Sequence, residues 1–277
     1  MVEVGGFVER GFLGGRRRIP KRPQGANPLM LPNFIPSEAQ HKFQADQSLE
    51  HIDPEIHRHA ERLDYLYFAA HSLTGPKEPP YNGQFLAVNH HRKWNEQVKA
   101  EPRICNLAHR DSGKSFFFSK GYPIWRAYNE PNKQGMVFSA TDAQAKEKLG
   151  QIIFELEENP KLQFLLPTGA RKKFNKREIR LTNGHEIIAR GWGTQVRGYH
   201  PHYILCDDVL NDEDIYSELV RRKNIDYFYS AITNMIVPTF RPPIGGPIVG
   251  QIIVIGTPFH AEDLYQSLEV NPEYSVG

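Results

Sequence analysis

The eight residues Ala108-His109-Arg110-Asp111-Ser112-Gly113-Lys114-Ser115 decide the fold of this chain. They match the phosphate-binding pattern G-x-x-x-x-G-K-[ST] except that Ala108 stands where the first glycine is expected. A strand-like run, 103–108, precedes the loop, and a helix-compatible run, 116–120, follows it. At such a junction the backbone N–H groups and the helix dipole converge on bound phosphates. The stretch therefore predicts a nucleotide site between a strand and a helix.

Each position of this loop has a chemical role in the prediction. Gly113 lets the backbone approach the nucleotide, Lys114 reaches the terminal phosphates, and the Ser115 hydroxyl is placed for Mg²⁺. The cofactors predicted are therefore ATP and Mg²⁺. The predicted ATP-binding residues of the loop are His109, Arg110, Asp111, Ser112, Gly113, Lys114 and Ser115.

A second motif, Tyr203-Ile204-Leu205-Cys206-Asp207-Asp208, is an apolar run that ends in two carboxylates. A buried parallel strand has this pattern, and ligands bind at the carboxyl ends of such strands. Asp207 is the candidate that holds Mg²⁺ through water, and Asp208 is placed to orient an attacking water. Paired aspartates after a strand also open turns or cap helices. Together, however, the two motifs favour a nucleotide hydrolase.

The composition sets the limits of this interpretation. The chain has 277 residues, enough for one large domain or two small ones, and its 24% charged content is typical of a soluble globular protein. It contains no apolar run of membrane-spanning length and no signal-peptide pattern at its N-terminus. Its two cysteines, Cys105 and Cys206, fall in predicted core strands, which favours a reducing, cytosolic setting.

The charge is distributed unevenly, although the net charge of +2 does not itself indicate a nucleic-acid partner. One basic cluster lies at 16–22 and a second at 171–177. Solvated surface charge is the simplest explanation of either cluster. The second cluster is the better candidate for DNA binding because it adjoins a predicted hairpin, and its residues are Arg171, Lys172, Lys173, Lys176 and Arg177.

Local patterns divide the chain into three parts. Residues 1–36 are predicted to form a flexible basic arm, 37–80 a helical segment, and 81–277 the nucleotide-binding domain. The helical segment carries apolar residues at spacings of three or four, namely Ile56, Ala60, Leu63, Leu66 and Ala69.

Within the third part, helices are predicted over 84–99 and 142–159, with Ile152, Ile153 and Leu156 on the apolar face of the latter. Strands are predicted at 135–139 and 250–255, and a hairpin at 178–189 whose Asn183-Gly184 pair favours a type I′ turn. Buried strands interleaved with helices predict an α/β fold with a mostly parallel sheet and helices on both faces.

In this order the motifs resemble the ATPase domain of the large terminase subunit of tailed bacteriophages, the motor that packages viral DNA. The resemblance runs from about Gln84 to Tyr265 and rests on the loop with Arg110 and on the segments 156–160, 187–191, 196–198, 204–208 and 254–264. Terminases commonly lack the first loop glycine, as here. The resemblance implies a P-loop NTPase of the additional-strand (RecA-like) type and a Mg²⁺-dependent ATPase.

The family also implies roles for individual residues. Arg110 is expected to sense the phosphates from within the loop, and Arg197 to act as an arginine finger in a neighbouring subunit's site. Thr257 matches the motif that couples the γ-phosphate to domain closure, and His260 and Asp263 either belong to it or cap the next helix. A surface ion pair for Arg197 and a strand terminator at Thr257 are the structural alternatives.

Two features of the family's site are open in this chain. Many terminases carry Asp-Glu where this chain has Asp207-Asp208, so the general base is either Asp208, which we favour, or Glu213. The residues that contact adenine are poorly defined, and Gln84 beside Phe85 is the candidate.

The partners implied by the resemblance are double-stranded DNA, the portal protein of a procapsid, the small terminase subunit and further copies of this chain in a ring on the portal. The location implied is the cytoplasm of the infected host, at the portal, with no membrane contact. A full large terminase carries a nuclease domain after the ATPase, and we expect that domain, with its nuclease activity, to be absent here. The alternatives are another nucleic-acid motor such as a helicase-type ATPase, and a P-loop small-molecule kinase.

Overall fold

The computed structural model describes residues 53–75, 77, 83–109, 111–167, 174–211 and 216–277. Several sequence-based expectations lie outside these ranges, namely the basic arm at 1–36, Arg110, the cluster 171–173 and Glu213.

Eight α-helices are present in the described part of the chain. Two of them are directly preceded by π-helical segments, Ser115–Gly121 before α4 and Phe228–Ile232 before α7. The helices are α1 (Pro54–Leu63), α2 (Tyr65–Ser72), α3 (Asn89–Ala100), α4 (Tyr122–Asn129), α5 (Asp142–Glu158), α6 (Glu218–Tyr227), α7 (Thr233–Met235) and α8 (Leu264–Glu269). None of them has the length and apolar character needed to cross a lipid bilayer.

The described strands form one eight-stranded sheet in the order β3-β4-β5-β2-β6-β7-β1-β8. All neighbours from β5 to β8 are parallel, and β3 and β4 form an antiparallel edge. The strands are β1 (Arg103–Leu107), β2 (Gln134–Ser139), β3 (Phe174–Asn175), β4 (Glu178–Arg180), β5 (Glu186–Gly191), β6 (Tyr203–Asp207), β7 (Gln251–Gly256) and β8 (Ser275–Val276).

The central strands are buried on both faces. In β7, Ile253 and Ile255 pack into one apolar cluster while Ile252 and Val254 pack into a second. Successive side chains of a strand point to opposite faces, so the two clusters are the two sides of the sheet. The first cluster includes residues of α2 to α5, and the second includes residues of the π-helical turn before α7 and of α8. The predicted sheet with helices on both faces is therefore confirmed, and burying both faces accounts for the long apolar runs of its strands.

One strand, β7, separates the strand that precedes the phosphate-binding loop, β1, from the strand that carries the paired aspartates, β6. This insertion is the additional strand predicted for the fold. The register aligns Leu107 with Gly256 and Asp207 with Ile255, so the three strands end at the same edge. Parallel strands thus deliver the loop, the aspartates and Thr257 to one place.

The N-terminal helical pattern is interrupted at Asp64. Its backbone is extended (φ −131°, ψ 112°), which ends α1, and its side chain accepts a hydrogen bond from the Tyr67 N–H at 3.0 Å, which caps α2. Apolar spacing counted across this break no longer defines one face, since Ile56 is 53% exposed while Tyr65 and Phe68 are fully buried. The described part of the predicted segment is helical, but in two helices instead of one.

Two other elements differ from expectation. Helix α3 begins at Asn89, because Val88 is extended (φ −112°, ψ 173°), so the predicted start at Gln84 is five residues early. In the hairpin, the Leu181 N–H bonds the His185 carbonyl at 2.8 Å, which leaves a three-residue loop. Gly184 has a positive φ of 79° but Asn183 does not, whereas a type I′ turn needs both. The observed loop is the three-residue kind with glycine in the left-handed position.

Candidate nucleotide-binding site

A cavity of about 890 Å³ opens at the carboxyl edge of β1, β6 and β7. Its size suits a nucleotide, since ligand cavities commonly measure about 300–1,000 Å³. Its lining comes from the predicted loop and from the segments that follow the other two strands. The lining residues are Asp111, Gly113, Lys114, Ser115, Phe116, Gln144, Asp208, Leu210, Asn211, Thr257 and Phe259.

The phosphate-binding loop is shaped by two residues in the left-handed region. Gly113 has φ 79° and Asp111 has φ 64°, a conformation that asparagine and aspartate tolerate better than other side chains. Helix α3 supports the loop, because the His90 Nε2–H donates to the Ser112 carbonyl at 2.8 Å. A side chain at Gly113 would lie 3.1 Å from the His91 ring. The loop therefore needs glycine at 113 for its backbone angle and for its contact with α3.

Lys114 is held by three oxygen atoms from three segments. Its ammonium donates to the Thr257 hydroxyl at 3.0 Å, the Asp208 carboxylate at 3.2 Å and the Ala108 carbonyl at 3.3 Å. The Lys114 side chain is 8% exposed, whereas that of Asp208 is 46% exposed. The lysine thus faces the cavity with its charge satisfied, and one of its partners is open to solvent.

The two aspartates face different surroundings. Asp207 ends β6 and is fully buried, whereas Asp208 has a positive φ of 46° and lines the cavity. The backbone of Asp208 is fixed on both sides, because its N–H donates to the Ile255 carbonyl at 3.0 Å and its carbonyl accepts from the Ala140 N–H at 3.2 Å. A left-handed aspartate is unusual, and the two flanking strands hold this one in place.

The buried Asp207 carboxylate is bound on one oxygen only. Its Oδ2 accepts hydrogen bonds from the Ser119 hydroxyl and from the Lys148 ammonium. The same ammonium lies 3.3 Å from the Ser115 hydroxyl. The second oxygen, Oδ1, is buried and has no hydrogen-bond partner among the described residues.

These residues fit a magnesium ion bound with a nucleotide. Mg²⁺ prefers oxygen ligands and is usually held by one or two protein groups together with water and substrate phosphates. Ser115 supplies a hydroxyl, and the unpartnered Oδ1 of Asp207 supplies a carboxylate oxygen. Within the described ranges, His, Cys, Asp and Glu side chains form no group of three or more that could hold a metal by themselves. The donor set matches a metal that arrives with the nucleotide.

Beyond β7, Thr257 contacts both the loop and its lysine. Its hydroxyl lies 3.4 Å from the Ala108 carbonyl and accepts from Lys114. Asp263 is a helix cap, since its carboxylate accepts from the Phe259, His260 and Gln266 N–H groups at 2.9, 3.1 and 2.9 Å. His260 accepts the Glu262 N–H at 3.0 Å on its Nδ1. The structure thus favours capping for Asp263 and leaves Thr257 as the contact with the site.

Other predicted site residues lie away from the cavity. His109 and Gln84 are exposed, and neither belongs to the cavity lining. Arg197 is exposed in the crossing from β5 to β6, beside Gly198 with φ 92°, and is also absent from the lining. Of the basic cluster, Lys176 is exposed, and Arg177 donates to the Asp142 carboxylate at 2.6 Å.

Sequence reasoning missed the residues that support the site from neighbouring helices. Lys148 and Gln144 lie one turn apart on α5, Ser119 follows the loop by four residues, and His90 and His91 lie on α3. Ser119 repeats the helical spacing from Ser115, which is the only local signal among these positions. Burial, together with the neighbouring His90, lowers the pKa of His91 to about 4, so this imidazole is neutral at physiological pH.

Comparisons with known proteins agree with this geometry. Residues 105–232 match the family described as "Terminase large subunit, T4likevirus-type, N-terminal". The match begins in β1 and extends past the paired aspartates, so it includes the loop, α5 and Asp207–Asp208. No curated protein matches the chain.

One solved structure of a phage terminase shares the fold, and two others match with lower scores. The large terminase of bacteriophage HK97 has a TM-score of 0.54 at 17% identity, with 78% of this chain and 43% of that chain covered. The chain therefore corresponds to less than half the length of that terminase. The ATPase domain of the Thermus phage P74-26 large terminase has a TM-score of 0.43 at 12% identity, covering 69% of this chain and 80% of that one. A variant of the same domain has a TM-score of 0.45 at 13% identity, with the same coverage.

The matched segment contains the loop and both aspartates, and the sheet has the additional strand of the RecA-like P-loop fold. Residues 105–232 are thus similar to the N-terminal domain of terminase large subunits.

Proposed function

We propose that this chain is the ATP-hydrolysing motor domain of a viral DNA-packaging terminase. The main support is the contacts of the Lys114 ammonium, which bonds the Asp208 carboxylate at 3.2 Å and the Thr257 hydroxyl at 3.0 Å. These three residues come from separate segments, and all of them line the cavity. A lysine for the phosphates, a carboxylate for water and a hydroxyl on the adjacent strand are the groups that phosphoryl transfer to water requires.

In this proposal the loop positions ATP. The N–H groups around Gly113 and the start of the following helix face the phosphates, and Lys114 moves from Asp208 and Thr257 onto them. Ser115 and Asp207 would hold Mg²⁺, which neutralises phosphate charge when bound. The remaining loop positions, from His109 to Ser112 with Arg110 as sensor, complete the ATP site, and Gln84 is the proposed adenine contact.

Transfer of Lys114 to the phosphates leaves the Asp208 carboxylate free to accept a proton from water. Asp208 is suited to this task because it is partly exposed and lines the cavity. Glu213 is the alternative base. Thr257, which bonds both Lys114 and the loop, would sense the same transfer and pass it to β7, and His260 follows it on the chain.

Completion of the site by a second subunit is part of the proposal. Arg197 is exposed and outside the cavity lining of its own chain, so its guanidinium is accessible to a neighbouring copy. An arginine delivered in this way stabilises the charge of the transition state. The proposed assembly is a ring on the portal of a procapsid, acting with the small terminase subunit.

Double-stranded DNA is the proposed substrate of translocation. Arg171, Lys172, Lys173, Lys176 and Arg177 would contact its backbone, because contacts to phosphates are independent of sequence and suit a motor that moves along DNA. Arg177 shares its charge with Asp142, so we assign it less of the binding than Lys176.

Phosphate release by the purified chain, with and without double-stranded DNA, tests the function. A packaging motor releases phosphate to water, and DNA increases the rate. Transfer of the phosphate to a small-molecule acceptor would favour the kinase alternative. Stimulation by single-stranded DNA alone, with strand separation, would favour the helicase alternative.

A further inference from the structure

Helix α5 places a lysine at the position where the metal ligands converge. The Lys148 ammonium bonds the Oδ2 of Asp207 and lies 3.3 Å from the Oγ of Ser115. The Lys148 side chain is 18% exposed and the Asp207 side chain is fully buried. The two oxygen-bearing groups that fit a magnesium ion are thus already bridged by a positive charge from within the chain.

The buried carboxylate depends on this lysine for its neutralisation. An ionised carboxylate in a protein interior is strongly unfavourable unless it is paired. Lys114, the other lysine at the site among the described residues, is bound to Asp208, Thr257 and Ala108 instead. Ser119 donates a hydrogen bond to Asp207 but supplies no charge. Among the described residues, Lys148 is therefore the counter-ion of Asp207.

An ammonium on the Oδ2 of Asp207 and a divalent cation on its Oδ1 would lie within a few ångströms of each other. Two positive charges a few ångströms apart repel each other strongly where the surroundings are poorly solvated. Lys148 reaches its partners from the middle of α5 through a flexible side chain, so it can withdraw without unfolding the helix.

We propose that Lys148 is a built-in counter-ion that bonds the two groups proposed to hold the metal, Asp207 and Ser115, and is displaced when Mg²⁺ binds with a nucleotide. The inference rests on the proposed function, because that function supplies the metal and the nucleotide. Its consequence is a lower apparent affinity for Mg²⁺, since only chains in which Lys148 has withdrawn are competent to bind it. Lys148 thus acts as a positioning residue for Ser115 and Asp207 before the nucleotide arrives.

The variant Lys148→Met removes the ammonium while keeping the length of the side chain. Lys146→Met is the matched control, because Lys146 lies on the same helix and pairs with Asp142 at the surface, at 3.7 Å. Binding of a fluorescent, non-hydrolysable ATP analogue is titrated with Mg²⁺ for the native chain and both variants. Thermal unfolding is recorded for all three in the presence of a chelator.

We expect Lys148→Met to reach half-saturation at an Mg²⁺ concentration lower by about 10- to 100-fold, the range for a competent fraction of about one-tenth to one-hundredth. Without metal, the same variant should unfold at a temperature lower by roughly 5 °C or more, because Asp207 loses its counter-ion. Addition of Mg²⁺ and the analogue should restore most of this difference. Lys146→Met should match the native chain in both measurements.

An unchanged or higher Mg²⁺ requirement in Lys148→Met would overturn the inference, because Lys148 would then be indifferent to the metal or assist its binding. If Lys148→Met does not fold, Lys148→Gln carries the same test, since it keeps an amide donor for Asp207 without the charge. Failure of the native chain to bind the analogue at any Mg²⁺ concentration would contradict the proposed function instead. The two failures are therefore distinguishable.

Discussion

The Lys114 ammonium lies 3.2 Å from the Oδ1 of Asp208, a residue 94 positions further along the chain. The group that would bind phosphates thus neutralises the group that would activate water. Each is unavailable until the other is released. Arrival of phosphates would draw Lys114 away and free Asp208, so this ion pair links nucleotide binding to formation of the base.

The choice of general base gives the first prediction. Asp208→Asn should lose hydrolysis by about 10²-fold or more while it still binds ATP with Mg²⁺, because an amide cannot accept the proton from water. Glu213→Gln is the matched variant and should retain most of its turnover. Single-turnover hydrolysis together with equilibrium nucleotide binding separates the two. Loss of hydrolysis in Glu213→Gln with near-native turnover in Asp208→Asn would assign the base to Glu213.

Arg197 should act on the site of a neighbouring copy. An arginine finger raises turnover by about 10³- to 10⁵-fold, so activity per molecule should increase with protein concentration, and Arg197→Ala should remove the increase without preventing ATP binding. A mixture of Arg197→Ala with Lys114→Ala should recover some activity, since each variant supplies the group that the other lacks. Turnover that is independent of concentration, with no recovery in the mixture, would place Arg197 in a structural role.

The basic cluster should provide binding to DNA that depends on salt and not on sequence. Reversing the charges of Arg171, Lys172 and Lys173 should weaken binding and reduce its salt dependence, because fewer counter-ions are released from the phosphates. Reversal of Arg58, Arg222 and Lys223, which are exposed on α1 and α6, controls for the change in net charge. The test is the affinity for DNA of the native chain and both variants, measured at several salt concentrations. An unaltered affinity and salt slope in the cluster variant would show that these charges do not contact DNA.

Acid should destabilise the fold through His185. Burial, opposed by a hydrogen bond to the Glu130 carbonyl, lowers the pKa of His185 to about 3, below the ordinary value of 6.5. The unfolded chain therefore binds the proton first, and His185 reduces stability by about 1.4 kcal/mol for each pH unit below 6.5 until the folded pKa is reached. His185→Gln should lower the difference in unfolding free energy between pH 7 and pH 5. Urea unfolding at both pH values measures it, and an identical pH dependence in the variant would contradict the assignment.

Much of the fold could be predicted from local sequence. Three apolar runs in the sequence indicate buried strands: the run before the phosphate-binding loop, the run before Asp207 and the run before Gly256. In the structure all three strands end at one edge of the sheet. The apolar face of α5 was also predicted in part, since Ile152 and Leu156 are buried. These features can be predicted because burial of one or both faces of a helix or strand sets the spacing of its apolar residues in the sequence.

The remaining features depend on contacts between distant segments. The break at Asp64 follows from a cap that leaves no mark on apolar spacing. The residues before α3 are extended up to Val88, and there Phe85 packs against Phe116, with the two rings 5.2 Å apart. Lys148 could not be recognised as a site residue, because a lysine on an amphipathic helix is usually a solvated side chain. Its meeting with Asp207, 59 residues away, is a property of the folded sheet.

Lys114 is proposed to act on the phosphates of the nucleotide that is hydrolysed. Phosphate release from ATP, measured for the native chain and for Lys114→Ala under identical conditions with DNA present, tests this role most directly. Lys146→Ala serves as the control for loss of a lysine, and circular dichroism confirms that each variant is folded. We expect the rate of phosphate release to fall on the order of 10³-fold or more in Lys114→Ala alone, because the lysine charge on the phosphates stabilises the transition state. Equal turnover by a folded Lys114→Ala variant and the native chain would contradict this role.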